Sequence, residues 1–293
     1  MNTTLPCRLL IGLSLALGAN PAWAADDHDH RHDHAHAPPH QPVGAARHGH
    51  EHAHPLVDLS HPIVTESPLP ETKLRFNYGF ADAGDALEHE FAVEAEYAFA
   101  PQFSLEAVVP YVFVNPDEGG AENRLGDVEI AAKFATYRFA ESHRLLPAAG
   151  LAAVLPTGDE ERGIGSDHVW ELEPFVRLGH WTDRLQVIGT LSLGIPLNQT
   201  SQERDEDEDF SLNYSVSLLY HVAHNVQAIV ELHGHSTFGA DDDVSAFYVS
   251  PGATFQPFPD ESINVGIGVT LPLTGEGDRD FDYAINLMTI FHL

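Results

Sequence analysis

Apolar and polar side chains alternate with a period of two from Glu71 to the final residue, Leu293. Phe210, Leu212, Tyr214, Val216, Leu218, Tyr220 and Val222 make one face of a stretch whose other face carries Ser211, Asn213, Ser215, Ser217 and His221. The same phase recurs at Phe91, Val93, Ala95, Tyr97 and Phe99, and again at Phe103, Leu105, Ala107, Val109, Tyr111 and Phe113. It returns at Leu185, Val187, Gly189, Leu191, Leu193 and Ile195, at Ile263 through Leu271, and at Phe281 through Leu293. Successive side chains of an extended chain point to opposite faces, so this is the pattern of strands with one apolar face. It predicts about twelve strands, starting near residues 72, 88, 103, 126, 144, 169, 184, 209, 224, 243, 262 and 281.

A soluble β-sandwich would show the same alternation, and three features argue against one. Many of the stretches run to ten or more residues, the length of a transmembrane β-strand and well beyond the usual soluble strand of about five or six. Short connections (Ala100–Gln102, Ala140–His143, His180–Asp183, Ala223–Asn225, Pro257–Glu261) alternate with long ones, as they do in outer-membrane barrels. Finally, the chain stops inside its last strand, which has the alternating aromatic and aliphatic character read by the barrel assembly machinery. The predicted fold is all-β: a transmembrane antiparallel up-and-down barrel at residues 71–293. With an even strand count both barrel ends face the periplasm and the long loops face outward. Phe99, Phe103, Phe113, Phe139, Tyr220 and Phe291 then fall near strand ends as interfacial girdles.

The first 70 residues lack this periodicity. Residues 1–24 have the build of a secretory signal: Arg8, an apolar core from Leu9 to Leu17, and Ala22-Trp23-Ala24 as the cleavage pattern. The sole cysteine, Cys7, lies in this signal, which excludes a disulfide framework and any multi-cysteine metal centre. Residues 25–70 are His- and Pro-rich with few large apolar side chains, a composition expected to stay disordered on the periplasmic side. His28, His30, His32, His34, His36, His48, His50, His52 and His54 alternate with acids and small residues, and His61 follows. Imidazole nitrogens with neighbouring carboxylates suit Zn²⁺, Cu²⁺ or Ni²⁺, so divalent metal binding is expected of this tract.

Charge refines the barrel. The chain carries 14 Lys+Arg against 44 Asp+Glu, which leaves no basic stripe for nucleic acid. Glu94, Glu96, Glu106, Glu129, Lys133, Glu171, Glu173, Arg177 and Glu231 fall on the polar phase of their strands and are expected to line the lumen. A water-filled lumen with this excess of acid favours cations, whereas internal ion pairs around Lys133 and Arg177 would serve a closed one. The outer loops hold 21 acidic residues and four arginines, including the run from Glu203 to Asp209. Such loops suit cations or the divalent ions that bridge lipopolysaccharide. Glu231, His233 and His235 alternate along one strand face, a spacing that allows a metal site as well as ordinary lumen polarity.

No phosphate loop, HExxH helix or nucleophile triad stands out, and Leu271–Gly275 matches a sortase signal only in letters, so no enzyme is expected. Three phrases do point to a family: Leu125-Gly126-Asp127 running to Phe134, Gly150-Leu151 leading to Leu155-Pro156-Thr157-Gly158-Asp159, and Val249-Ser250-Pro251-Gly252. They resemble the outer-membrane proteins grouped as the MetA-pathway of phenol degradation. The resemblance implies a barrel that passes small molecules, by analogy aromatic or other hydrophobic ones. The acids and histidines pull instead toward metal cations. The expected function is an outer-membrane channel for small solutes, requiring no cofactor, with a metal-binding His tract. The alternative is a closed-lumen barrel serving as a metal-binding or surface scaffold.

Overall fold

The computed structural model describes residue 57 and residues 59–293, apart from 85, 117–119, 159–163, 167, 199–209, 240–243, 260 and 276–278. The predicted signal, the tract His28–His54, the acidic run Glu203–Asp209 and Asp241–Asp243 lie outside these residues. Thirteen strand segments follow one another: β1 (Lys73–Asp82), β2 (Ala86–Ala100), β3 (Phe103–Pro116), β4 (Glu122–Leu125), β5 (Val128–Ala135), β6 (Leu145–Leu155) and β7 (Glu171–Trp181). Then come β8 (Leu185–Pro196), β9 (Phe210–Ala223), β10 (Val226–Phe238), β11 (Val244–Phe255), β12 (Ile263–Pro272) and β13 (Tyr283–His292). A 3₁₀ turn at Tyr137–Phe139 and one α-helical turn, α1 (Ala140–His143), fill the connection before β6.

Neighbours pair antiparallel throughout, and β1 pairs β13 from Lys73↔His292 to Asp82↔Tyr283, so the sheet closes on itself. Both β4 and β5 lie along β3, their register offset by one residue across Gly126-Asp127. They are two arms of one bulged strand, which makes a barrel of twelve. The predicted start at residue 126 therefore marked the bulge rather than the beginning of that strand. The bulge anchors a long loop: the Asp127 carboxylate accepts backbone N–H groups from Gly158 (2.8 Å) and Ser166 (2.7 Å), while the Thr157 hydroxyl donates to the Gly126 carbonyl (2.7 Å).

Exposure alternates in the inverted sense of a membrane barrel. Along β2, Phe91 is 50% and Tyr97 62% exposed, whereas Glu94 is fully buried and Glu96 nearly so. Phe99, Phe103, Phe113, Tyr220 and Phe291 lie on the exposed, apolar face of their strands, and Phe139 is exposed in the turn between β5 and β6. The polar side chains point into the barrel, so the lumen is the interior and the apolar belt is the surface offered to lipid.

One expectation is corrected. The segment at 25–70 was expected to be a disordered tail, but Leu59–Pro70 enters the barrel from its short-turn end and is almost wholly buried there. The sequence His61-Pro62-Ile63-Val64-Thr65-Glu66-Ser67-Pro68-Leu69-Pro70 has no strand or helix period. Its burial depends on the shape of the lumen, which local pattern does not encode. We call it the plug.

Candidate functional site: a plugged lumen

Two different walls hold the plug. The first is apolar: Leu59, Ile63 and Leu69 pack with Leu146, Trp181, Ile188, Leu219 and Ile229, all inward-facing residues of β6 to β10. Glycines make room for the close approach. A Cβ at Gly179 would come within 2.9 Å of Pro68 Cγ and closer still to Leu59, and one at Gly266 would meet Ile63 at 3.1 Å. Gly252, in the last of the three phrases noted above, likewise leaves space that Ile63 fills.

The second wall is ionic. Lys73, buried at the start of β1, places Nζ 3.0 Å from Glu94 and 3.2 Å from Glu96, and 3.8 Å from Glu66 of the plug. Arg75 pairs with Glu66, lies 3.7 Å from Glu94 and donates to the Ile63 carbonyl at 2.6 Å. Lys133 reaches Glu96 at 2.8 Å and the Ser67 carbonyl at 3.3 Å, and Arg177 donates to the same carbonyl at 3.5 Å. Burial would raise the Glu66 carboxyl, but the opposing charges of Arg75, Lys73, Arg177 and Lys133 outweigh it and hold the group down at about 2. Glu66, Glu94 and Glu106 bring carboxylate oxygens within 4.8 Å of one another, and Lys73 and Arg75 already occupy the space a cation would take.

At mid-height the plug backbone turns around a single carboxylate. Ile63 and Val64 donate N–H groups to Glu231 Oε2 at 3.1 and 2.9 Å, and Thr65 donates to Oε1 at 2.9 Å. The Ser217 hydroxyl adds a fourth bond at 2.7 Å. Three successive backbone donors around one anion form a nest, and here the anion belongs to the barrel wall. Ser60 completes the grip, donating to Gln186 at 2.7 Å and accepting from Gln227 at 2.7 Å.

Most of the predicted lumen residues meet at this plug. Glu94, Glu96, Lys133 and Arg177 contact it or its partners, while Glu106, Glu129 and Glu173 are buried beside them. Arg177 also lies 4.4 Å over the Phe175 ring. Glu171 is half-buried toward the long-loop end, where Ser211 donates to it at 3.4 Å. The three-residue metal site suggested for β10 is not assembled. Glu231 is committed to the plug nest, His233 bonds Ser250 at 2.9 Å, and His235 turns to Asp280 at 3.8 Å. Beyond the plug, the long-loop half of the barrel retains a cavity of about 160 Å³. Its floor is Ile63–Glu66 and its walls include Asn77, Ser192, Asn213, His233 and Tyr248. Sequence reasoning missed the plug-binding Lys73 and Arg75, which sit on the inward phase of β1 and were legible there.

Fold and lumen define a twelve-stranded transmembrane barrel occluded by its own N-terminal segment. The family model described as putative MetA-pathway of phenol degradation matches residues 83–277, and the chain belongs to that family. Among solved structures, an outer membrane channel from Pseudomonas putida F1 is similar at 13% identity, with a TM-score of 0.62 over 80% of this chain and 100% of that one. The NanC porin is similar at 12% identity, with a TM-score of 0.54 over 75% of this chain and 100% of that one. No curated protein matches the chain.

Proposed function

We propose that this protein is an outer-membrane channel for small solutes, closed at its short-turn mouth by the plug. The observation that carries this reading is how the lumen is filled. A separate stretch of chain occupies its short-turn end, and a chamber lined by both polar and apolar residues remains beyond. A barrel closed for good would be expected to fill its lumen with wall side chains, as small barrels do. The acids of the lumen and outer loops make the path favour cations. The family, the likeness to channels and porins, the lipid-facing belt and the even strand count support this reading. They also support an orientation with the termini in the periplasm and the long loops toward lipopolysaccharide. The His28–His54 tract, then at the periplasmic mouth, binds Zn²⁺, Cu²⁺ or Ni²⁺.

Single-channel recording in planar bilayers tests the proposal. Full-length protein should show rare or small openings, and deletion of residues 57–70 should raise conductance several-fold, with cations preferred in a salt gradient. No conductance from either form would favour the second reading, a closed scaffold, for which the occluded lumen itself argues. Calorimetry of the full chain, with and without serine at the ten histidines from His28 to His54, reads out the tract. Equal zinc stoichiometry in the two forms would remove it from the account.

A further inference from the structure

A separate cluster sits where the plug meets the seam of the barrel. His61 lies in the plug, Glu71 in the short link to β1, and His292 at the end of β13, opposite Lys73 in the closing ladder. His61 Nε2 is 2.7 Å from Glu71 Oε2, and the His61 and His292 rings are 5.1 Å apart between centroids. One ligand atom from each residue falls within 4.8 Å of the other two. His61 is only 3% exposed, and its Nδ1 is buried without a hydrogen-bond partner. A buried imidazole nitrogen normally finds a partner. Glu71 supplies the carboxylate oxygen of the cluster, set against His61.

We infer that His61, Glu71 and His292 form a binding site for a divalent transition metal of the zinc class, stapling the plug to the closing seam of the barrel. Two imidazoles and one carboxylate are a donor set that zinc accepts, with a fourth position left for water. At bond lengths of about 2.0–2.2 Å, tetrahedral ligand atoms stand roughly 3.3 Å apart. The ligand atoms, all within 4.8 Å of one another, would have to close to that spacing around a metal. The residues are 10 and 221 positions apart in sequence from Glu71, so no motif announces them; barrel closure brings them together. A metal here ties three elements at once: the plug, its link to β1, and the last strand. The site is distinct from the His28–His54 tract and does not depend on the barrel being a conducting channel.

The test uses full-length protein in which the ten tract histidines are serine, so that the tract cannot mask a single site. Calorimetry with Zn²⁺ should give one equivalent, and Co²⁺ should give the visible absorption of a tetrahedral complex. His61→Gln and His292→Gln should each weaken zinc binding at least tenfold and remove the cobalt band. Heat-modifiable mobility in detergent gels confirms that each variant keeps its barrel. Should a variant fail to fold, His61→Asn, which shortens the side chain and removes the ring, replaces it. Absence of stoichiometric zinc in the tract-substituted chain would overturn the site. So would zinc and cobalt binding that persists unchanged in the double variant His61→Gln, His292→Gln. A barrel that never conducts would leave a positive binding result standing.

Discussion

The two halves of the lumen are walled by the same strands, yet one is packed like a protein interior and the other encloses a chamber. Near the short turns, inward positions divide between a wall of large apolar residues such as Leu146, Ile188 and Leu219 and a wall of charges such as Lys73, Glu96 and Lys133. Near the long loops they include Asn213, Ser192, Ser215 and His233, which border open space beside the apolar Tyr248, Phe281 and Ala284. The comparison teaches that polar inward positions do not specify a water-filled pore. In the filled half, charges on the wall are answered by backbone and side chains of an inserted segment; in the other half the wall borders a chamber instead.

Lys73 is the strongest lever on that contrast. It is buried among Glu66, Glu94 and Glu96, so Lys73→Met strands several carboxylates without their cation. The expected cost is about 3–5 kcal/mol, read as a lower urea midpoint for barrel unfolding in detergent; an unchanged midpoint would show that the ionic wall is dispensable. Glu231→Ala comes next. It leaves the Ile63, Val64 and Thr65 N–H groups without their acceptor, at about 2–3 kcal/mol. That loss should appear as frequent openings in bilayers and as faster protease cleavage within residues 57–70, with the barrel itself intact.

Acid should loosen the same half more gently. The Glu66 carboxyl is held at about 2 against an ordinary 4.5. A depressed carboxylate contributes stability that is complete above the ordinary value and fades as pH falls through the folded-state value. Through Glu66, channel opening should increase as pH falls between roughly 4.5 and 2. Opening that begins nearer neutral pH would implicate groups other than Glu66. The smallest effect belongs to Arg144→Ala. Its 2.6 Å pair with Asp183 is exposed at both ends, and its loss should shift stability by less than about 1 kcal/mol, giving a baseline for the other variants.

The barrel was legible because its code is local. The predicted strand starts at 103, 144, 184, 209 and 262 fall within a residue of the observed ones at Phe103, Leu145, Leu185, Phe210 and Ile263, since lipid demands an unbroken apolar phase. The plug was illegible for the opposite reason. Ile63, Leu69 and Glu66 carry no period of their own: Ile63 and Leu69 pack on wall residues far away in sequence, and Glu66 meets Lys73 and Arg75 only because β1 runs back along the plug. The lumen charges occupy an intermediate place: alternation gives their inward direction, but their partners follow from register and closure. Glu231 shows the limit. It is correctly directed inward, yet it serves backbone N–H groups of the plug instead of the histidines beside it.

The seating of the plug also bears on how the molecule is made. Pro70 leads almost directly into β1, and β1 is the strand that must pair with β13 to close the cylinder. Residues that grip the plug come both from the first strands, through Lys73 and Arg75, and from the later ones, through Gln186, Gln227 and Glu231. A finished barrel would have to admit the plug through a mouth that the plug itself fills. The simplest order is the reverse, in which the growing sheet curls around its own leading segment. On that order the plug acts as a mandrel, setting the bore before the seam is sewn.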